Sequence, residues 1–424
     1  MLSRSDTAVF LHFGYLPRYT SGCLDSLCDW SKQDERRAAR ACRDIGALIN
    51  DGVAILKMAL GGTIAETDAA KTHVVSLSGG LDSRAILGGL LESVDAKKIQ
   101  AVTFGTPGTW DYEIGQIVAR AAGVQCEAID LTCAGWKWDS TELVKTAASM
   151  DQPVWIFDAH VNRSIPDRLG RESVYSSGFM GDPLAGSHLC KQDSISWSQA
   201  MSCFVARGRY CRSTKLTPPG FSALDSLPQV PLAAPSILCY DEQLDFAVRQ
   251  DCYIKAIVVP RGYDYYTPFL HPDWVSFILS VPRRYRRGQY LYREILKTAY
   301  PKLFSLPTKN SFGLPLTMPH WRRNLRRQRL RLRGAAKRLV PWVDWGVSPN
   351  TNYIDFNRGL RERTDLGAVV YENIHDLKKR RIVDWIDIDA IWDRHHKRRA
   401  NHADALTLLA SLEINLKAQE IQPK

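Results

Sequence analysis

The sequence has no CxxC pair and no cysteine–histidine cluster at zinc-ligand spacing, although it carries ten cysteines, at positions 23, 28, 42, 126, 133, 190, 203, 211, 239 and 252. A structural zinc site is therefore not expected, and thiols scattered in this way fit a reducing compartment in which most of them are small buried hydrophobes. No apolar run approaches the roughly 18 residues of a membrane-spanning helix, so no membrane contact is expected. The opening stretch, MLSRSDTAVFLHFGY, lacks the basic flank, apolar core and small-residue cleavage site of a signal peptide, which makes a cytoplasmic protein the expectation. Internal repeats and low-complexity segments are also missing.

Acid is missing from one stretch in particular. Arg322 to Arg338 carries nine Lys or Arg and no Asp or Glu, in a chain with 56 basic and 45 acidic residues and a net charge of +11. Set that stretch aside and the remainder is nearly neutral, so a global nucleic-acid-binding charge is not indicated. Leu325, Leu332 and Leu339 recur at a spacing of seven within it. This spacing predicts a helix that packs a narrow apolar edge and exposes its arginines, with an acidic partner or nucleic acid as the alternative use of the charge.

What is present is an ordinary globular composition: 424 residues, 45 % hydrophobic and 24 % charged. That length supports two or three domains, or one large domain with an appendage. Residues 35 to 60 space their apolar side chains at three and four, predicting an amphipathic helix ended by Gly61 and Gly62. HVVSLS then reads as a strand, RAILGGLLESV as a helix, IQAVTFG as a strand, DYEIGQIVARAAG as a helix and QCEAIDL as a third strand. Alternation of this kind is the signature of an α/β fold, a parallel sheet of about five strands flanked by helices. After Met150 the pattern becomes more helical, through SISWSQAMSCFVARG, DEQLDFAVRQDCYIKAIVV, WVSFILSVP and QYLYREILKTAY, and the C-terminal third is helix-rich.

The strongest chemical signal is Ser78-Gly79-Gly80-Leu81-Asp82-Ser83, where the first strand turns into a helix. Two glycines allow successive N–H groups to point into one concavity, and the helix N-terminus adds its positive dipole end, an arrangement suited to phosphate. A tight strand–helix turn uses the same residue types, with Asp82 as N-cap. The nucleotide kinase loop GxxxxGK(S/T) is a different pattern.

SGGxDS resembles the pyrophosphate loop of the ATP pyrophosphatases, which cleave ATP between its α and β phosphates and activate a substrate as its adenylate. Three further segments, in order, make the resemblance one to the asparagine synthetase family over about residues 35 to 320. Ser177 to Ser187 (SGFMGDPLAGS) looks like its GxGxDExxGG segment, Asp264 to His271 (DYYTPFLH) like its ExRxPFLD segment, and Leu306 to Pro315 (LPTKNSFGLP) like its late lysine motif. The resemblance implies an adenine nucleotide alpha hydrolase-like fold, with ATP and Mg2+ as cofactors. Ser78, Gly79, Gly80, Leu81, Asp82, Ser83, Glu113 and Gly181 would contact the nucleotide, Asp82 and Asp182 would hold the metal, and Lys309 and Asp264 would be catalytic. Charge building on the α-phosphate and departing pyrophosphate requires such a kit of Mg2+, carboxylates and a fixed cation rather than a covalent nucleophile. For each of these residues a plainer reading exists: Asp182 as a turn residue before Pro183, Lys309 as a solvated side chain, Glu113 as an acid favoured in a first helical turn.

Departures from the family pattern fall on the acceptor side. Asp264 stands where Glu is usual, Tyr266 where Arg is usual, Pro183 where an acid is expected, and Phe179 where several relatives are polar. Position 2 is leucine, whereas the glutamine-dependent enzymes carry an N-terminal cysteine nucleophile on a glutaminase domain; FLHFGYLPRYTSGCLDSL resembles only the tail of that domain. The expected organisation is an N-terminal remnant over 1–34, the synthetase-like domain over 35–320 and a basic helical extension over 321–424. The expected activity is adenylation of a small-molecule or peptide carboxylate, aspartate first, followed by amide formation with ammonia or an amine supplied by a separate glutaminase protein. The alternatives are ring closure like that of β-lactam synthetase or lasso-peptide cyclase, a tRNA-modifying pyrophosphate-loop enzyme, and a non-catalytic interaction module.

Overall fold

The hydrophobic runs of the N-terminal half assemble into one parallel sheet in the computed structural model, which describes residues 2–19, 22–31, 40, 43–65, 71–339 and 346–421. β1 (His73–Ser76), β2 (Ile99–Gly105), β3 (Gln125–Asp130), β4 (Val174–Ser176) and β5 (Asp264–Tyr266) lie in the order β3-β2-β1-β4-β5, all parallel. The central strands are buried on both faces, with Val74, Val75, Ala101 and Val102 almost fully covered, as a sheet layered between helices requires. Helices make up 59 % of the chain. The α/β expectation and its parallel five-stranded sheet thus hold.

β2 spans the residues expected, and β1 and β3 each end one or two residues early. β4 and β5 have three residues each and do not read as strands in the sequence, lying outside the segments after Met150 that read as helical; runs so short carry no usable periodicity. The strand order reverses at β1, whose neighbours are β2 on one side and β4 on the other. At such a point the loops leaving the C-terminal ends of the two strands diverge and open a crevice.

Several expectations are corrected. The helix expected over 35–60 is described as Ile45–Ala65, and it runs through Gly61 and Gly62 instead of stopping there; residues 32–39, 41 and 42 lie outside the described residues. Burial of Leu48, Leu56, Ala59 and Leu60 outweighs the roughly 1 kcal/mol that each glycine costs a helix. Ile45–Gly62 is also long and apolar enough to cross a membrane by length and composition, with a mean hydropathy of 1.3 and 28 % of the stretch buried. Asp51 and Lys57 interrupt it, so a search for unbroken apolar runs passes it over. Here it packs against the helices Asp82–Ser93, Pro272–Ser280 and Tyr290–Ala299.

The basic stretch does form a helix, His320–Leu339. Its leucine edge is unpacked, however: Leu325 is 43 % and Leu332 70 % exposed. A seven-residue spacing permits an apolar seam but supplies no partner for it. Among the eight cysteines whose environment is described, Cys28, Cys211, Cys239 and Cys252 are buried, while Cys126 and Cys133 are exposed and Cys190 and Cys203 half-buried. Burial of most thiols is therefore not found.

Both chain ends contribute to the core. The helix Arg4–Phe13, begun by a capping box between Ser3 and Asp6, buries Phe10 and Phe13. The helix Ala403–Ile421 is buried along most of its length and packs on Arg4–Phe13, Ser140–Ala148, Ile156–Leu169 and Thr364–Arg380. Its glutamate, Glu413, is fully buried and paired at 2.8 Å with Arg380, so the charge is not left alone in the interior.

Candidate functional site

A cleft of about 460 Å3 opens where the strand order reverses. Its walls include Ser78, Gly80, Leu81, Asp82 and Ser83 from the loop after β1, Ser177 to Met180 with Asp182 from the loop after β4, and Lys309. Of the residues expected at the site, Gly79, Glu113, Gly181 and Asp264 do not line it, although Gly79 and Gly181 pack directly behind residues that do.

The loop after β1 is held by its own serines. The Ser78 N–H donates to Ser83 Oγ at 3.2 Å, and the Gly80 N–H to Ser78 Oγ at 3.1 Å. The Gly79 N–H donates to Asp111 Oδ1 at 3.0 Å, and the Gly79 carbonyl accepts from the Lys309 N–H at 2.8 Å. A cradle of successive free glycine N–H groups is therefore not what the loop offers, because these three donors are already used. The glycine at 79 instead permits close packing: a Cβ there would stand 3.0 Å from the Trp110 carbonyl oxygen and 3.3 Å from Lys309 Cβ. Anion-binding capacity rests on the N-terminus of the helix Asp82–Ser93, which begins at the cleft wall and whose cap residue Leu81 makes no side-chain cap bond, so its first-turn N–H groups are left without intrahelical partners. Asp82 is the first helical residue and not the N-cap.

Asp82 and Asp182 come together although 100 residues separate them. Gly178 and Gly181 make this possible, since a Cβ at Gly181 would stand 2.7 Å from Asp82 Cγ and one at Gly178 2.9 Å from Asp82 Cβ. Met180, between them, has φ 66°, a left-handed conformation that costs a non-glycine residue about 1 kcal/mol or more. Pro183 falls in the first turn of the short helix Gly181–Leu184, where its missing N–H is no loss. Asp82 Oδ1 accepts the Tyr292 hydroxyl at 2.8 Å. Burial and then the neighbouring Asp182 push the Asp82 carboxyl up to about 7, against the pull of Tyr292, the Asp182 N–H and Lys309. Two neighbouring carboxylates lining a crevice are the donor set a hard divalent cation takes together with substrate phosphates. A cation there would relieve the repulsion that raises Asp82. Among the described residues no group of three or more His, Cys, Asp or Glu could hold a metal alone.

Lys309 sits in a small two-stranded turn between Pro307–Thr308 and Leu314–Pro315, closed by Phe312 and Gly313, both with positive φ. Its Nζ lies 3.0 Å from Asp111 Oδ1. The resulting bracket, Gly79 to Asp111 to Lys309 and back to Gly79, fixes the cation beside the loop. Arg84 reinforces it from below: fully buried, it donates to the carbonyls of Leu303 at 3.0 Å, Leu306 at 3.3 Å and Pro307 at 2.7 Å, tying the helix behind the loop to the segment leading to Lys309.

Glu113 is turned elsewhere. Its Oε1 accepts the Gly108 N–H at 2.8 Å and closes the loop before its own helix, while Asp111, two residues earlier, reaches the cleft. In a first helical turn, a shift of two residues rotates a side chain by more than half a turn. Asp264 is at the start of β5, more than half exposed and 3.7 Å from Lys71. The loops of a parallel sheet bind at strand C-termini, so the residue opening the strand is on the wrong edge; Tyr265 lines the cleft, and Tyr266 sends its hydroxyl to the Ala59 carbonyl on the far side.

Other participants were not apparent from residue type. Beyond Asp182, His188 Nδ1 pairs with Asp245 Oδ2 at 2.8 Å and its Nε2 lies 3.8 Å from Asp182 Oδ2. Burial works against the charged imidazole, but Asp245 outweighs it and raises the pKa. Arg249 and Gln250 reach the cleft from a π-helical stretch, Asp245–Ile254, a geometry frequent at functional sites. Asp158 and Asn162, from the helix Ile156–Leu169, and Tyr353 complete the wall. No cysteine lines the cleft among the described residues. Comparison with known proteins finds no matching family and no matching curated protein.

Proposed function

We propose that this protein is an ATP-dependent amide-forming synthetase that adenylates a carboxylate and releases AMP and pyrophosphate. The observation carrying this reading is the convergence, at one strand-order reversal, of an uncapped helix N-terminus, the Asp82–Asp182 pair and the bracketed Lys309. Asp82 and Asp182 would hold Mg2+, which neutralises the charge building on the phosphates. Lys309 would balance the α-phosphate and departing pyrophosphate, and its present partner Asp111 keeps it extended toward that position until nucleotide arrives. The four ordered segments that resemble the asparagine synthetase family support the same reading.

Aspartate is the first acceptor to test, because the segment order is that of asparagine synthetase. The acceptor wall is nonetheless built from Arg249, Gln250 and Tyr265, and not from Asp264 or Tyr266, which favours a larger carboxylate or an amide ring closure as the second reading. Absence of a cysteine from the described cleft wall weighs against a thiolase acting on tRNA. Exchange of labelled pyrophosphate into ATP, measured with aspartate, other amino acids, peptides and tRNA, tests the proposal. Carboxylate-stimulated exchange that Lys309→Ala abolishes is the expected result, and no exchange with any carboxylate overturns it.

A further inference from the structure

The cleft has a second arm that adenylation does not use. Asp158 lies in its wall, where burial drives the carboxyl well above its ordinary range and no cation offsets that effect. Among the described residues, its half-buried carboxylate accepts no hydrogen bond and joins no ion pair, which leaves it open to the cleft. Asn162, one turn further along the same helix, spends its amide on the Asp158 backbone carbonyl at 2.9 Å and on the Tyr353 hydroxyl at 3.4 Å. Tyr353 lines the same cleft, and the Asp158 charge helps to raise the pKa of Tyr210, Tyr253 and Tyr353. Phe104, Ile254 and Val258 line the neighbouring wall. An unpartnered carboxylate in a cleft that also carries aromatic and aliphatic side chains suits a cation with an alkyl chain: the carboxylate meets the charge, and the apolar wall covers the stem.

Resting on the proposed adenylation, we infer that Asp158 is the subsite for the attacking nucleophile, a primary alkylammonium group, and accepts its proton. One proton passes from R–NH3+ to the Asp158 carboxylate, and the freed nitrogen lone pair forms the C–N bond at the acyl carbon. The C–O bond to the α-phosphate breaks, AMP leaves with that electron pair, and the second nitrogen proton passes to solvent. An acid that holds a proton readily is a better acceptor from an ammonium than an exposed aspartate. The substrate class is then a primary alkylamine and not free ammonia, whether it belongs to the activated molecule or to a second one.

Two measurements test this. Calorimetric titration of n-butylammonium chloride into the full chain without ATP reads the subsite alone. Saturable binding that weakens about tenfold or more in Asp158→Asn, with n-butanol giving none, is expected; no saturable binding to the wild type, or equal binding to Asp158→Asn, overturns the inference. The second measurement uses ATP, Mg2+ and the carboxylate that stimulates exchange, and compares butylamide with hydroxamate made from hydroxylamine, which is already neutral at neutral pH and requires no base. The ratio of butylamide to hydroxamate should fall about 100-fold in Asp158→Asn and recover in part in Asp158→Glu. An unchanged ratio overturns the proton-accepting role. Absence of exchange in the wild type counts against adenylation instead, leaving the calorimetry to judge the subsite.

Discussion

Gly181→Ala isolates the geometry of the carboxylate pair with a single methyl group. The backbone at 181 is ordinary helical first-turn conformation, so alanine is acceptable there on dihedral grounds. The added Cβ would nevertheless stand 2.7 Å from Asp82 Cγ, 2.9 Å from Asp82 Oδ1 and 2.9 Å from Phe269 Cδ2. Phe269 is fully buried and Asp82 is tethered to Tyr292 at 2.8 Å, so neither yields freely, and ordinary contact requires a retreat of roughly 0.5 Å or more. Overpacking of this kind costs about 1 to 3 kcal/mol of stability. A carboxylate displaced toward 1 Å from its working position costs about 100-fold in rate, or roughly 2.7 kcal/mol of barrier. Pyrophosphate exchange and thermal unfolding are to be measured side by side with Gly52→Ala as control. That methyl would press on Ile295 Cγ1 at 2.8 Å and Phe277 Cε1 at 3.0 Å, outside the cleft wall, so it should lower stability comparably and leave exchange per folded molecule intact. Exchange within about twofold of wild type in Gly181→Ala would refute the claim that the position of Asp82 governs the chemistry.

Asp82→Asn should abolish exchange yet stabilise the Mg2+-free protein above neutral pH. The folded-state pKa of Asp82, about 7, lies above its unfolded value, so the folded state holds the proton longer and stability is lost as pH rises from about 4 through 7; melting curves across that range should flatten in the variant, and an identical slope would refute the assignment. His395 gives the opposite acid-side signature: its Nδ1 accepts the His402 N–H at 3.1 Å, and burial followed by Arg361 lowers its pKa to about 4. Stability contributed by neutral His395 is therefore present above about 6.5 and lost as pH falls toward 4, which denaturant titrations of His395→Gln should show as a weaker acid dependence. Arg84→Met strips three carbonyls of their donor and should cost about 3 kcal/mol while raising the KM for ATP through the loosened Lys309 segment; a stable variant with unchanged KM would mean that Arg84 does not position Lys309.

The legible parts of the sequence are those with local cause. Strands β1 to β3 and the loop between β1 and its helix follow from apolar runs, glycine and a helix start within about 60 residues. Asp182 and Lys309 required the resemblance, since a Gly-flanked acid and a loop lysine have no spacing signal of their own; what brings them to Asp82 is the pairing of β4 beside β1 and the Lys309 N–H bond to Gly79. Glu113 and Asp264 failed for a different reason. A pattern match fixes a residue to within a position or two, and along a helical turn or a pleated strand that is enough to change the face or the edge on which the side chain lies. Arg84, Tyr292 and Asp158 were invisible because their roles depend on burial, which single-sequence reasoning cannot assign to a polar residue inside an amphipathic pattern.

Three costs meet in the crevice between β1 and β4, and folding alone explains none of them. Met180 holds a left-handed backbone conformation, Asp82 faces Asp182 at the expense of its own ionisation, and Asp158 is raised by desolvation with no partner among the described residues. Each opposes stability by an amount on the order of 1 kcal/mol or more. Two buried acids elsewhere are matched: Glu413 has Arg380, and Glu242 has Arg286 at 2.6 Å. Backbone strain and perturbed acids cluster at ligand sites more often than where chains only pack. Their concentration at one strand-order reversal is what a site waiting for cations would look like, a divalent metal at one end and an ammonium at the other. If both are ligands, Mg2+ and n-butylammonium should each raise the melting temperature and do so additively, because they meet different carboxylates. Competition between them would place Asp158 and the Asp82–Asp182 pair in a single site and undo the division of the cleft into two arms.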